Sequence, residues 1–169
     1  LNNGVWVETK DSAVWIQCLK KNNENDSIKL PATNALGNKV NNVVTLSTNI
    51  FKDDHSIKTF REIWYEEHNS VGYLHFDFYN GAMSTNQCNR LKDAFVKAKQ
   101  CKTKVIVLMG GEDVWSNGIH LNIIEASQNP AQVSWENINA IDDLIKEIIC
   151  TGTHYTISAL QGNASAGGV

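Results

Sequence analysis

The feature that most constrains the fold is the apolar run KVIVLM at residues 104–109, which ends in the paired glycines Gly110 and Gly111. A short, continuous apolar run rich in β-branched residues is typical of a buried strand in a parallel sheet. Two acidic residues, a Trp and the polar turn Ser-Asn-Gly follow it. The pattern predicts a strand that delivers a loop to a site.

Residues 61–80, REIWYEEHNSVGYLHFDFYN, predict a β-hairpin ahead of that strand. In its second arm Leu74 and Phe76 lie two positions apart among polar neighbours, and this alternation indicates one buried face. Ser84 and Gln87 then form a capping box ahead of a helix whose apolar residues recur at steps of three and four.

A second helix and a further strand follow the central loop. Ser134 is expected to cap a helix that carries an apolar stripe and ends at Gly152. HYTISAL, at residues 154–160, predicts the last strand. The order β-β-α-β-α-α-β from Glu62 onward fits an α/β layer with right-handed crossovers.

The chain divides into unequal parts. Residues 1–31 predict two strands joined by the turn KDS and a possible third strand, IKLPA, which suits the tail of a small β domain. Residues 32–59 are polar and Asn-rich and predict a linker. Residues 60–169 form the α/β part. At 169 residues the chain can bury one substantial core, so one complete domain is the most it can hold.

Composition excludes several classes of partner. Lys and Arg total 15 against 18 Asp and Glu, for a formal charge of −3, and no basic run stands out, which argues against nucleic acid. The four cysteines show no spacing suited to a metal and indicate reduced thiols in a cytoplasmic protein. No apolar segment approaches the roughly 20 residues that span a bilayer, so no membrane association is expected.

Two loops stand just past the carboxyl ends of predicted parallel strands, where α/β sheets place ligand sites. They are WSNGIH, at 115–120, and QGNASAGG, at 161–168. Each offers backbone N–H groups beside glycine, and two converging N–H groups suit an oxygen that gains negative charge. A thioester carbonyl would fit such a pocket. Taken alone, the final glycines also fit any tight strand-to-helix turn.

These residues resemble a known family. VIVLMGGEDVWSNGIHL and ISALQGNASAGGV are similar to the two oxyanion-hole segments of the crotonase, or enoyl-CoA hydratase/isomerase, superfamily. GYLHFDFYNGAMST, WSNGIHLNIIEA and LQGNASAGG more narrowly resemble the HypX/HoxX type of hydrogenase maturation factor. That type joins a formyltransferase-like half to a crotonase-like half, and residues 1–31 resemble the end of the first half. The resemblance implies an internal fragment across the junction, with a partial crotonase-like fold.

The resemblance also implies a chemistry. Proteins of this type are associated with moving a formyl group from formyl-tetrahydrofolate to coenzyme A and releasing CO from formyl-CoA for the nickel-iron hydrogenase active site. An acyl-CoA and other hydrogenase maturation proteins are the implied partners, and the folate site is expected upstream of this chain. If the domain continues past Val169, apolar surface on Trp135, Ile138 and Ile141 is expected to be exposed.

By position, the implied oxyanion donors are the backbone N–H groups of Ile119 and Gly167. Where many crotonases carry Asp after the first donor, this chain has His120, which is a candidate for acid/base chemistry or a helix-start residue bonded to backbone. The acid/base side chains of the family are expected beyond the chain. The segment that would run along coenzyme A comprises Trp115, Ser116, Asn117, Gly118 and Leu121.

Several alternatives stay open. Trp115 is as well explained by capping the core as by lining a cofactor groove, and Glu112 and Asp113 suit a solvated loop. Cys88 and Cys101 flank a helical pattern, which favours burial over use as nucleophiles. The whole chain is compatible with an ordinary enoyl-CoA hydratase or isomerase, or with a crotonase-like module that binds coenzyme A without catalysis.

Overall fold

A computed structural model describes residues 3–20, 28–45, 49–51 and 60–168. It contains two compact units, Leu1–Phe60 and Arg61–Val169. Within the described ranges, no helix combines the length and apolarity needed to cross a membrane.

The first unit contains two small antiparallel β ladders. Strand β1 (Val5–Glu8) pairs with β2 (Ala13–Ile16), and β3 (Cys18–Lys20) pairs with β4 (Lys29–Pro31). The predicted strands are confirmed, but the second one divides at Gln17. The Gln17 carbonyl oxygen accepts a hydrogen bond from the Ala32 N–H at 2.9 Å, so this residue is tied to a later segment.

The predicted linker begins as a helix rather than an extended connection. Helix α1 (Ala32–Leu36) follows Pro31 directly and leads into a short 3-10 helix at Gly37–Val40. Ala32 is fully buried, so the start of this segment packs into the first unit. Residues 46–48 and 52–59 of the predicted linker lie outside the described residues.

The second unit is an α/β layer. Its strands are β5 (Ile63–His68), β6 (Val71–Phe76), β7 (Ala82–Met83), β8 (Val105–Met109), β9 (Val114–Ser116), β10 (Gly118–Ile119), β11 (Tyr155–Ala159) and β12 (Asn163–Ala164), and its helices are α2 (Thr85–Ala98), α3 (Leu121–Glu125) and α4 (Pro130–Ile149). The main sheet has the order β11-β8-β6-β5. Strands β6, β8 and β11 are parallel, and β5 pairs antiparallel with β6, as the hairpin prediction requires.

A tight turn fixes the register of the β5–β6 hairpin. His68 pairs with Val71, and the two residues between them, Asn69 and Ser70, have φ values of 50° and 64°. Two consecutive left-handed residues are what a two-residue hairpin turn needs to match the twist of its strands.

The core of the second unit lies between the sheet and α2. Ser84 caps α2 in the predicted capping box, accepting from the Gln87 N–H while the Gln87 side chain reaches back. The residues predicted to line one face of α2 are buried, as are the alternate residues of β6 and β8: Leu74, Phe76, Cys88, Leu91, Ala94, Phe95, Ala98, Ile106 and Leu108. Each large side chain buried in this way contributes about 1.5–3 kcal/mol.

Both predicted ends of α4 are wrong. The helix is capped by Asn129, whose side chain accepts from the Gln132 N–H at 3.3 Å, and it starts at Pro130 rather than after Ser134. Proline suits the first helical position because the N–H it lacks would have no partner there. The helix ends at Ile149, before the predicted stop at Gly152.

The apolar stripe of α4 is only partly buried. Leu144 is 2% exposed, whereas Trp135 and Ile138 are 65% and 41% exposed. The expected exposure of Trp135 and Ile138 is therefore confirmed, while Ile141 is half-buried. The face of α4 that packs inward carries a polar residue, Asn137, at its centre.

Candidate functional site

The two predicted loops leave the sheet side by side. Strands β8 and β11 are parallel neighbours, so the segments that follow them start at the same edge. Within those segments β9 and β12 pair in parallel. The Asn163 N–H donates to the Asp113 carbonyl oxygen at 3.1 Å, and the Ser165 N–H donates to the Ser116 carbonyl oxygen at 3.0 Å. The predicted placement of both loops past parallel strands is confirmed.

Gly118 brings the two backbones into contact. Its φ is 72°, in the left-handed region, and a Cβ atom built on it would lie 2.8 Å from the Gly167 nitrogen. Only a residue without a side chain fits both conditions. Since Ile119 follows Gly118, the two residues expected to donate N–H groups, Ile119 and Gly167, lie on facing segments.

An open groove of about 520 Å³ adjoins these residues. Ile119 and Gly167 line it together with one side of α4, which contributes Ile138, Ile141, Asp142, Ile145, Lys146 and Ile149. The lining is mostly apolar, with one acidic and one basic residue. Such a groove can hold an apolar chain next to backbone N–H groups.

Ser116 and Asn117, expected along coenzyme A, use their side chains within the protein. Ser116 is 2% exposed; its hydroxyl accepts from the Gly118 N–H at 3.2 Å and donates to the Met83 sulfur at 3.4 Å. Asn117 bonds through its side chain to Asn80 and to a residue of the second loop. These side chains shape the loop itself.

His120 begins α3 and is 8% exposed. Its Nδ1 accepts from the Ile123 N–H at 3.4 Å, which confirms the helix-start interpretation of this residue. Burial lowers the pKa of His120, which keeps the imidazole neutral and suited to accept that bond. The backbone N–H of His120 donates to the Asn137 side-chain oxygen at 3.1 Å.

Trp115 and Leu121 differ in their exposure to solvent. Trp115 is half-buried and packs edge-on against Phe76, with ring centroids 5.2 Å apart, as a residue that caps the core does. Its buried indole N–H has no hydrogen-bond partner among the described residues. Leu121 is 65% exposed and offers an apolar side chain to solvent.

Three acidic side chains lie near the same edge of the sheet. Burial is the main cause that raises the pKa of Asp77, and the charges of Glu112 and Asp113 raise it further. Asp77 directly follows β6, and Glu112 and Asp113 belong to the loop after β8. Among the described residues no group of three or more His, Cys, Asp or Glu side chains could hold a metal ion.

Cys88 in α2 and Cys101 shortly after it are poorly suited to act as nucleophiles. Cys88 is fully buried, and burial raises the pKa of its thiol to about 12. Burial also raises the pKa of Cys101, with Glu67 adding to the effect. A thiol held in its neutral form is a poor nucleophile.

On the outer face of the hairpin, His75 stacks on Trp64 with ring centroids 4.5 Å apart and planes 5° from parallel. Burial lowers the pKa of His75, and the charge of Glu66 opposes that shift. No sequence signal predicted that these two rings would stack.

No protein-family model matches the chain. The chain is 43% identical over 161 residues to the hydrogenase maturation factor HoxX of Bradyrhizobium diazoefficiens, a match that covers 95% of this chain and 27% of that protein. The resemblance to the HypX/HoxX type is thereby confirmed. The chain spans only about a quarter of the length of this HypX/HoxX-type relative.

Solved structures agree with this assignment. A HypX structure from Aquifex aeolicus, in complex with tetrahydrofolic acid, matches with a TM-score of 0.94 and 44% identity, covering 99% of this chain and 29% of that one. A probable enoyl-CoA hydratase from Mycobacterium tuberculosis matches with a TM-score of 0.57 and 19% identity, covering 64% of this chain and 45% of that one. The expected α/β fold with crotonase-like layers is confirmed.

Two residues that organise the site were not predicted from the sequence. Asn137 is 1% exposed in the middle of α4, and Ser165 bonds across to the first loop. The only signal that the sequence carries for Asn137 is its low helix propensity within a predicted helix. Ser165 carried no signal, because its partner lies 48 positions away.

Proposed function

We propose that this chain supplies part of a thioester site in a hydrogenase maturation protein of the HypX/HoxX type. The observation that carries the proposal is the contact between Gly118 and Gly167, where a Cβ atom on the first would lie 2.8 Å from the nitrogen of the second. Facing backbone segments of this kind can direct two N–H groups at one carbonyl oxygen. In this proposal Ile119 and Gly167 are the two donors.

The groove beside these donors fits the chemistry of coenzyme A. Ile138, Ile141 and Ile145 give it apolar walls, which suit the thioester end of a pantetheine arm and keep water away from a reactive acyl group. Lys146 lies in the same lining and offers a positive charge to an anionic part of the ligand. Coenzyme A would supply the thiol that carries the formyl group as a thioester, and loss of CO restores that thiol.

The other parts of the reaction are assigned outside these loops. His120 is engaged as a helix cap, so in this proposal it shapes the loop and takes no part in proton transfer. Residues 1–31 belong, by the same proposal, to a formyltransferase-like domain that takes the formyl group from formyl-tetrahydrofolate. The tetrahydrofolic acid bound in the HypX structure of Aquifex aeolicus supports a folate site in such proteins.

The test is coenzyme A binding and formyl-CoA turnover by the full-length protein. Calorimetry is expected to show binding of coenzyme A or a short acyl-CoA, and CO release from formyl-CoA is the expected reaction. Absence of binding to the folded protein would refute the thioester site. Hydration of an enoyl-CoA without CO release would instead favour an ordinary hydratase.

Two variants separate backbone donors from side chains. Gly167→Pro removes an N–H and is expected to lower kcat about a hundredfold, because one oxyanion donor contributes roughly 3 kcal/mol. Ile119→Val keeps its N–H and is the matched control, with turnover close to that of the parent. Proline can also disturb the turn, so unfolding and coenzyme A affinity are measured for both variants. Parent-level turnover by a folded Gly167→Pro protein would exclude Gly167 as a donor.

A further inference from the structure

Asn117 joins three segments of the second unit. Its backbone N–H donates to the Gly81 carbonyl oxygen at 2.8 Å, and its Nδ2 donates to the Asn80 carbonyl oxygen at 2.7 Å. Its Oδ1 accepts from the Ser165 hydroxyl. Both ends of the side-chain amide are therefore engaged, and one residue connects the turn at 79–81 to both loops of the site.

The turn that receives these bonds has a constrained backbone. Asn80 and Gly81 have φ values of 53° and 64°, both in the left-handed region, and the Gly81 N–H donates to the Phe78 carbonyl oxygen at 2.7 Å. Asn and Gly are the residues that adopt this conformation most readily. The two adjacent carbonyl groups thus form a fixed pair of acceptors for Asn117.

We propose that Asn117 and Ser165 form a clamp that sets the spacing of the two donor segments, with Asn117 as a positioning residue. Asn117 lies two residues before Ile119, and Ser165 lies two residues before Gly167. A bond between their side chains therefore ties equivalent points of the two loops. The clamp reassigns the Asn117 side chain from a coenzyme contact to a contact within the protein.

The catalytic consequence of the clamp rests on the proposed function, whereas the coupling between the loops does not. Reacting groups that shift by about 1 Å lose on the order of a hundredfold in rate, so a loosened spacing lowers turnover. In the proposed function, binding of the coenzyme depends on the groove, whose lining residues do not include Asn117 or Ser165. The clamp is therefore expected to affect kcat more than KM.

The first measurement is hydrogen exchange in the full-length protein, followed in peptides covering 114–120 and 160–168. Ser165→Ala is expected to raise exchange in 114–120 about fivefold, since one hydrogen bond contributes about 1 kcal/mol. Ser165→Thr keeps a hydroxyl and is expected to restore protection. Asn163→Ala is the matched control, because Asn163 bonds to the first loop through its backbone. If Ser165→Ala accelerates exchange only in its own loop, the clamp does not exist.

The second measurement is the kinetics of formyl-CoA turnover. Asn117→Ala and Ser165→Ala are each expected to lower kcat about tenfold and to change KM less than about twofold. Because both substitutions break the same bond, the kcat of the double variant is expected to equal that of the less active single variant. Parent-level kcat in a folded Asn117→Ala protein overturns the positioning role. A parent protein that binds no coenzyme A thioester refutes the proposed function instead, and the exchange data then decide the coupling by themselves.

Discussion

Replacing Asn137 with Leu is expected to destabilise the second unit around α3 and α4. Asn137 is 1% exposed; its Oδ1 accepts from the His120 N–H at 3.1 Å, and its Nδ2 donates to the Met83 carbonyl oxygen at 2.8 Å. Leucine has nearly the same size. The substitution therefore removes hydrogen-bonding groups without opening a cavity.

The expected cost follows from the two groups that lose their partner. A buried backbone N–H or carbonyl left without a hydrogen bond costs about 1–3 kcal/mol, and here both His120 and Met83 are affected. The more apolar side chain offsets about 1–2 kcal/mol of this cost. With mid-range values the net loss is about 2.5 kcal/mol, which corresponds to roughly a seventyfold increase in local opening.

Native-state hydrogen exchange measures this loss in peptides that cover 118–125 and α4. Asn139→Leu is the matched control, because Asn139 is exposed on the same helix and its side chain donates to the nearby Trp135 carbonyl oxygen. Its exchange is expected to stay within about threefold of the parent. Equal protection in the two variants would show that the buried amide does not hold these segments together.

Three further predictions concern backbone strain and pH. Ser70→Gly relieves a left-handed residue in the hairpin turn and is expected to stabilise the protein by about 1 kcal/mol; an unchanged melting temperature contradicts this. In Gly118→Ala the new Cβ atom would lie 2.8 Å from the Gly167 nitrogen, so this variant is expected to lose more than about 2 kcal/mol of stability. Gly152→Ala is the control and is expected to be neutral, because nothing lies within 4 Å of its new Cβ atom. Similar melting temperatures for the two variants would refute the crowding argument. Burial lowers the pKa of His120 below 6.5, so as the pH falls the unfolded state takes up a proton before the folded state does. The contribution of His120 to stability is therefore fully present above about pH 6.5 and decreases as the pH drops below it. His120→Asn keeps a capping acceptor and is expected to reduce that fall, as urea midpoints between about pH 5 and 7 would show; an unaltered profile excludes His120 as its source.

The parts of the fold that depend on local chemistry could be predicted from the sequence. The alternation of Leu74 and Phe76 and the capping box of Ser84 and Gln87 each involve neighbours within a few positions, and the structure confirms both. The start of α4 was missed because two capping residues compete there. Asn129 precedes a proline that suits the first helical position, and this combination outweighs Ser134.

The site was predictable only in outline. That two loops follow parallel strands can be derived from the order of elements, but their contact depends on a left-handed Gly118 and on partners far apart in sequence. Asn117 bonds to Asn80 across 37 positions and to Ser165 across 48. No periodicity links such residues, so only the folded backbone reveals them.

The parallel pairing of β9 with β12 has a consequence for biosynthesis. Val114 and Asn163 are partners in that ladder, so the pocket cannot close until the ribosome has released the second loop. At about 5–20 residues per second, roughly 2.5–10 s separate the emergence of the two loops. During that interval the hairpin and α2 have already been synthesised, but the proposed thioester site is incomplete and the first loop is accessible to chaperones.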